Sequence, residues 1–402
     1  MEHKCRYTHE TTKRWSTAID YLICIAILIQ SALVIFQYVL MDVYGIDPEG
    51  TTIYRVVLTA IPMILAIILA FIRRPTLFIT VYVIALLILL LHAVVFPLNL
   101  PYITKEGGRF LLPVVIPSAL CLTAVRDIRI VERSAVIISW ATAFMVFVYA
   151  ISFFRGRFEI DSYSMGFSYG CLLPMLILYT RRKVFPVTVS LIIFIIIVSI
   201  GSRGAAIVFV VFVAIDLFIS RSRFRWFAII AGVLMVILLP QLDSFLDTIG
   251  INSRTIRLLT EGNINYTSGR DEIYDKVVAA INEHPVLGLG LFGDRRCLNG
   301  AYCHNLFIEV YADFGFIFGT LIILIGIIDL FVSYRASRFG YRTMWLVFAL
   351  SGILPYMASS SYLVYNPLAI LIGYSVLVKN NYNRVRKEAM MDLSQEALDL
   401  SK

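Results

Sequence analysis

The chain has 402 residues, 59% hydrophobic and 15% charged, with a mean hydropathy of +0.82. Soluble domains carry about 25% charged residues. Here the apolar residues come in long uncharged runs, which excludes disorder, a secreted disulfide scaffold and an ordinary soluble enzyme, and reads as an integral membrane protein. The net charge of +8 invites a nucleic-acid reading. Most of it falls in short loops between apolar runs, where topology needs it, so no nucleic-acid partner is expected.

A polar, basic head, Met1 to Arg14, leads straight into a run long enough to span, so no cleavable signal peptide is expected. The runs that follow predict twelve spans: 16–41, 53–72, 76–98, 110–125, 135–154, 164–180, 184–200, 204–220, 227–240, 304–333, 343–357 and 366–378. Pro62, Pro113, Pro117 and Pro174 sit inside them, as packed membrane helices tolerate. With the N-terminus cytoplasmic, every cytoplasmic segment is basic, from Arg73 and Arg74 to Arg384, Arg386 and Lys387. An even number of spans with both termini inside fits that bias. The expected fold is all-α: one transmembrane domain over 1–402, a polytopic bundle of about twelve helices. A long external loop, 241–303, bears short amphipathic helices between spans nine and ten.

Five arginines outside that loop face outward against the topology rule: Arg55, Arg109, Arg155, Arg157 and Arg203. Each alone could bind lipid phosphate or pair with a carboxylate such as Asp42, Glu106 or Asp161. Together with Arg295 and Arg296 in the long loop, they would form an anionic-substrate surface at one end of a bundle. The membrane interior is nearly free of charge. His92 is the one strongly polar ionisable residue deep in a span, and it reads as a hydrogen-bonded core residue rather than a proton relay. This weighs against a transporter.

Three motifs stand at the outer face. Gly201-Ser202-Arg203-Gly204-Ala205 joins two apolar runs too tightly for a loop, pinning Arg203 at the interface. Thr267-Ser268-Gly269-Arg270-Asp271 precedes apolar residues at helical spacing: Ile273, Val277, Val278 and Ile281. Ser268 and Asp271 have capping-box spacing, and His284-Pro285 ends the helix. Arg270 in its first turn would add a guanidinium to the dipole and free N–H groups, a site for phosphate. An arginine merely paired with a nearby carboxylate is the plainer alternative. Tyr302-Cys303-His304-Asn305 opens span ten, where a neutral imidazole among cations suits a general base. A simple His-Asn helix cap is again the plainer reading. Glu309 and Asp313 continue from Asn305 as a polar stripe. Cys297 and Cys303 could form a disulfide in an oxidising compartment. No Cys-x-x-Cys pair is present, so no zinc site is expected.

In this order, Ser202-Arg203-Gly204-Ala205, Ser268-Gly269-Arg270, His284-Pro285-Val286-Leu287-Gly288-Leu289-Gly290, then His304-Asn305 with Gly315 and Gly319 resemble the bacterial O-antigen ligase and polymerase superfamily. The resemblance covers roughly residues 190–330. It implies a glycosyltransferase with GT-C-like architecture in the bacterial plasma membrane, its active site facing the periplasm or cell exterior. The implied donor is a glycan on undecaprenyl diphosphate, with membrane lipids and other polysaccharide-assembly proteins as further partners. It also implies that Arg203 and Arg270 bind diphosphate and that His304 lies at the reacting centre.

Arg295, Arg296, Arg109, Arg155 and Arg157 are candidates for the same anionic surface on charge alone. Tyr302 and Asn305 flank His304 and join the substrate-binding set, and Glu309 is a second candidate for activating the acceptor. No Asp-x-Asp motif lies outside, so a metal-independent reaction without cofactor is expected, with inversion at the anomeric carbon. Polymerisation of O-antigen or capsule repeats is the first expectation and ligation to lipid A core the second. A polysaccharide-unit flippase is the alternative from another class.

Overall fold

The computed structural model describes residues 2–155, 165–200, 203–219, 270–338, 340–357 and 359–400. The described residues are all helical, without a strand. Among the described residues, six helices are long and apolar enough to cross a membrane: Trp15–Val43, Pro48–Arg73, Pro75–Val95, Pro97–Thr123, Ile128–Phe153 and Leu306–Ala336. Gly166–Thr180, Val184–Ser199 and Gly204–Ile219 are shorter and equally apolar. The predicted ninth span, 227–240, and the first part of the long loop, 241–269, lie outside the described residues.

Helix α1 (Glu2–Tyr38) is central. It packs against α2 (Pro48–Arg73), against the helix Ile128–Phe154 and against the helix Met165–Thr180. Ile23, Ile27, Ile35, Val146, Phe167 and Cys171 are buried along these seams. By contrast α2 and α3 (Pro75–Val95) leave Ile61, Ile64, Ile68, Leu87 and Leu91 exposed. Apolar side chains left uncovered along two long helices are what a bilayer would solvate. At the end of the bundle that carries the α2–α3 turn, buried Asp20 pairs with Arg73 and accepts from the backbone N–H groups of Arg126 and Asp127.

One boundary differs from expectation. Tyr102–Arg109, predicted as an external loop, is helical and part of Pro97–Thr123. Lys105, Glu106 and Arg109 lower its hydropathy and made it read as a loop. Its middle, Ile103–Val115, is a π-helix containing Pro113. Proline lacks the N–H that a regular α-helix would need there, and the wider π turn accommodates the interruption. The segment carries Glu106 toward the interior, where it meets Arg295.

Candidate active site

The site is assembled on a broken helix. Helix α11, named in chain order, runs Leu306–Ala336 and is interrupted at Gly315, whose φ is +70°. In an unbroken helix Phe316 N–H would donate to Ala312 C=O. Here Phe316 N–H donates to Pro285 C=O at 2.8 Å, and Ala312 C=O accepts from Leu289 N–H at 2.6 Å. The turn 285–290 has inserted itself into the helix and satisfied both groups it displaced. Two further contacts pin the stretch. His92 Nδ1 accepts from Leu291 N–H at 2.9 Å, and Asn99 Nδ2 donates to Leu289 C=O at 2.7 Å. His92 is thus a hydrogen-bonded core residue, as its sequence setting suggests.

Beyond this insert comes a short helical turn, Gly293–Cys297, that delivers Arg295 into the interior. Arg295 is fully buried. Its Nη1 donates to Asp294 at 2.6 Å and Glu309 at 2.7 Å, its Nε to Glu106 at 3.2 Å, and its Nη2 to Ser361 at 2.6 Å. Burial opposes the charge, but Asp294, Glu309 and Asp313 more than offset it and hold the guanidinium protonated, well above the usual arginine range. Glu309 also accepts from the Ser361 hydroxyl and from Tyr362 N–H. Asp313 accepts from the Tyr362 hydroxyl and from Phe292 N–H. Asp294 accepts from Cys303 N–H at 3.0 Å. Three carboxylates from three chain segments therefore bond one arginine, and Asp313 adds its charge from the same helix as Glu309. Every donor of Arg295 named here is engaged inside the protein, so it acts within the fold rather than on its surface.

Above Arg295 lies the catalytic candidate. The guanidinium is 5.7 Å from the centre of the Tyr302 ring, and that ring is 4.3 Å from the imidazole of His304. Tyr302 donates from its hydroxyl to Ser359 C=O at 3.3 Å. His304 has φ +58°, a left-handed backbone rare outside glycine, and its ring bonds the backbone of Ser359. Its Nδ1 is buried with no partner among the described residues. Burial first, and the cations Arg270 and Arg295 after it, push His304 below the ordinary imidazole value, while the Ser359 bond opposes them. A ring that donates to a carbonyl from one nitrogen keeps a lone pair on the other.

Asn305 caps α11, its Oδ1 accepting from the N–H groups of Phe307 at 3.0 Å and Ile308 at 3.3 Å. The capping role anticipated for it is present. Arg270 opens the helix Arg270–Glu283, whose buried residues Val277 and Ile281 face the short cluster around Leu289, Cys303 and Ala312. Tyr274 of that helix lies beside Asn305, and Arg270 is within electrostatic range of His304.

The structure thus brings Arg270, Arg295, Tyr302, His304, Asn305 and Glu309 together. It does not add the remaining arginines to them. Arg296 is exposed beside Cys297. Arg109 is exposed against Phe110, and Arg155 is exposed. Neither Arg109 nor Arg155 joins the cluster by a hydrogen bond or ion pair among the described residues. Arg157, Gly201, Ser202, Ser268 and Gly269 lie outside the described residues, as does the side chain of Arg203, whose backbone begins the helix Arg203–Ile219. Cys297 and Cys303 are free thiols, not a disulfide.

Sequence reasoning missed Asp294, Ser361 and Tyr362, and it offered Glu106 only as a partner for the arginines outside the long loop. Two of these follow span eleven, more than 50 residues from Arg295 in sequence, and no local pattern links them. The glycines Gly288 and Gly290 were the available signal for the insert.

Residues 188–324, which contain Arg203, Arg270, the insert and His304, match the O-antigen ligase family. No curated protein matches the chain. Over this third of the chain the sequence is similar to the O-antigen ligase family, the resemblance expected from its motifs.

Proposed function

We propose that the protein is a polysaccharide polymerase of the bacterial plasma membrane, with its reacting centre at the outer face. In this reading twelve spans leave both termini in the cytoplasm. The observation that carries it is His304: an imidazole held neutral, with an orphaned Nδ1, beside a helix N-terminus bearing Arg270.

The donor is a glycan on undecaprenyl diphosphate. The hydroxyl of a second lipid-linked repeat unit attacks the anomeric carbon. The bond from that carbon to the diphosphate oxygen breaks, and the hydroxyl proton passes to the His304 imidazole. Negative charge then gathers on the departing diphosphate while the sugar takes oxocarbenium character. Arg270, the first N–H groups of its helix and Arg203 stabilise that charge, so the reaction needs no metal; one well-placed donor can be worth about 3–4 kcal/mol. One direct displacement inverts the anomeric carbon. Tyr302 supports the face of the imidazole, and Arg295 with Glu309 holds Tyr302 and the start of α11 in place. Glu309 is thus a positioning residue in this reading rather than the base.

The test is polymer formation by the purified protein from lipid-diphosphate repeat units. The expected result is a ladder of products, abolished by Arg270→Ala and by His304→Ala with folding intact. Normal ladders from both variants would reduce the two residues to helix-end structure. Because the matched family is described as O-antigen ligase, ligation to lipid A core is the second reading. Transfer to added core without a ladder would establish it.

A further inference from the structure

A cavity of about 540 Å³ opens beside Tyr302, whose other neighbour is His304. Ligand pockets span roughly 300–1,000 Å³. Its walls come from α1, α2, the helix Met165–Thr180, the helix Arg342–Ile353 and the chain after it. Three features define its chemistry. Among the described residues no carboxylate lines it. Arg55, half-buried in the wall, has no ion pair among the described residues. Gln30 Nε2, also in the wall, is buried with no hydrogen-bond partner among them. A guanidinium and an amide donor facing a space without a carboxylate among the described residues suit an acceptor-rich monoanion.

The rest of the lining narrows the class. Tyr38, Tyr302 and Tyr365 contribute rings, and Ser359 a hydroxyl. Rings offer apolar faces with polar edges, suited to the C–H face of a pyranose. A lipid diphosphate would call for more than one cation. We propose that this cavity holds a carboxylate-bearing sugar ring of the substrate, with Arg55 pairing to its carboxylate and Gln30 donating to a ring or hydroxyl oxygen. The proposal rests on the glycosyl-transfer reading above and adds to it a substrate class, acidic glycans, and a specificity residue, Arg55.

The test is binding, without turnover, of glucuronate and of glucose to the detergent-solubilised full chain, followed by saturation-transfer NMR. Glucuronate should bind about tenfold more tightly than glucose, as one charge-assisted hydrogen bond allows. Arg55→Gln should erase that preference and Arg55→Lys should retain part of it. Gln30→Leu, which keeps the charge, should weaken both sugars while preserving the preference. If Arg55→Gln loses its melting transition, the wild-type comparison of the two sugars and the partial preference expected of Arg55→Lys decide the matter. Equal binding of the two sugars to the wild type, or a preference that survives Arg55→Gln, would overturn the proposal. Displacement of glucuronate by equimolar inorganic pyrophosphate would also overturn it, giving the cavity to the lipid diphosphate. An acid preference in a protein that forms no glycosidic product would instead sink the functional reading and leave the pocket standing. Active transfer with no acid preference would do the reverse.

Discussion

Gly288 and Gly315 meet back to back, each in a left-handed backbone conformation and each filling space that a side chain would need. A Cβ on Gly288 would stand 2.5 Å from both Ala312 C=O and Gly315 N. A Cβ on Gly315 would strike Val286 C=O. These two glycines let the stretch 285–290 enter α11 and exchange its hydrogen bonds.

Substituting either glycine should therefore cost more than a helix-propensity change. Gly288→Ala is expected to destabilise the protein by about 2–3 kcal/mol through backbone strain and displaced neighbours. Gly326→Ala is the comparison, since nothing lies within 4 Å of its Cβ position. Thermal melting in detergent checks both. Equal transitions for the two variants would contradict the close approach.

Removing Arg295 should leave several buried carboxylates without their cation. Breaking a buried pair from one side costs about 3–5 kcal/mol. Arg295→Ala is expected to unfold at markedly lower denaturant. Arg295→Lys should rescue little, because an ammonium cannot reproduce the fork that reaches Asp294, Glu309, Glu106 and Ser361. A variant with wild-type stability and weakened substrate binding would return Arg295 to the substrate surface.

The pH dependence follows from His304. Burial and then Arg270 hold its imidazole below the ordinary value of 6.5. The neutral form is therefore retained as pH drops past 6.5, and transfer should fail only on the acid side of that value. Stability follows the same sense. An unfolded chain takes up the proton first, so stability is present above 6.5 and is lost as pH falls through the folded value. Arg270→Gln removes a repelling charge, so the acidic limb of the rate profile should move toward neutral pH in whatever activity that variant retains. NMR titration of the imidazole in Arg270→Gln would show the same rise without needing turnover. An unmoved imidazole titration would mean that Arg270 and His304 do not sense one another.

Asn305 separates capping from chemistry. Asn305→Ala should cost about 1 kcal/mol as a lost helix cap. Asn305→Asp should keep the cap, since a carboxylate accepts from the same two N–H groups. Restored stability together with restored transfer in Asn305→Asp would make Asn305 purely structural. Restored stability with transfer still lost would point to a contact between its amide and substrate.

The membrane character, the placement of most helices and the family resemblance were legible along the chain, because hydropathy runs and short motifs are local patterns. Arg270 at a helix start and Asn305 as a cap were legible for the same reason. The segment Tyr102–Arg109 misled, because three charged residues suggest water even where one of them, Glu106, turns inward to a buried arginine.

By itself the sequence determined which segments are apolar enough to enter a bilayer and which polar residues stand near their ends. Only the tertiary structure decided what those polar residues do. It took Arg295 out of the anionic surface by surrounding it with carboxylates from residues 106, 294 and 309. Among the described residues it left His304 Nδ1 without a partner and set Arg55 in the wall of a cavity with no acid. A charge in a low-dielectric interior is governed by whichever groups lie within a few ångströms of it, and in a bundle those groups come from helices far apart in the chain.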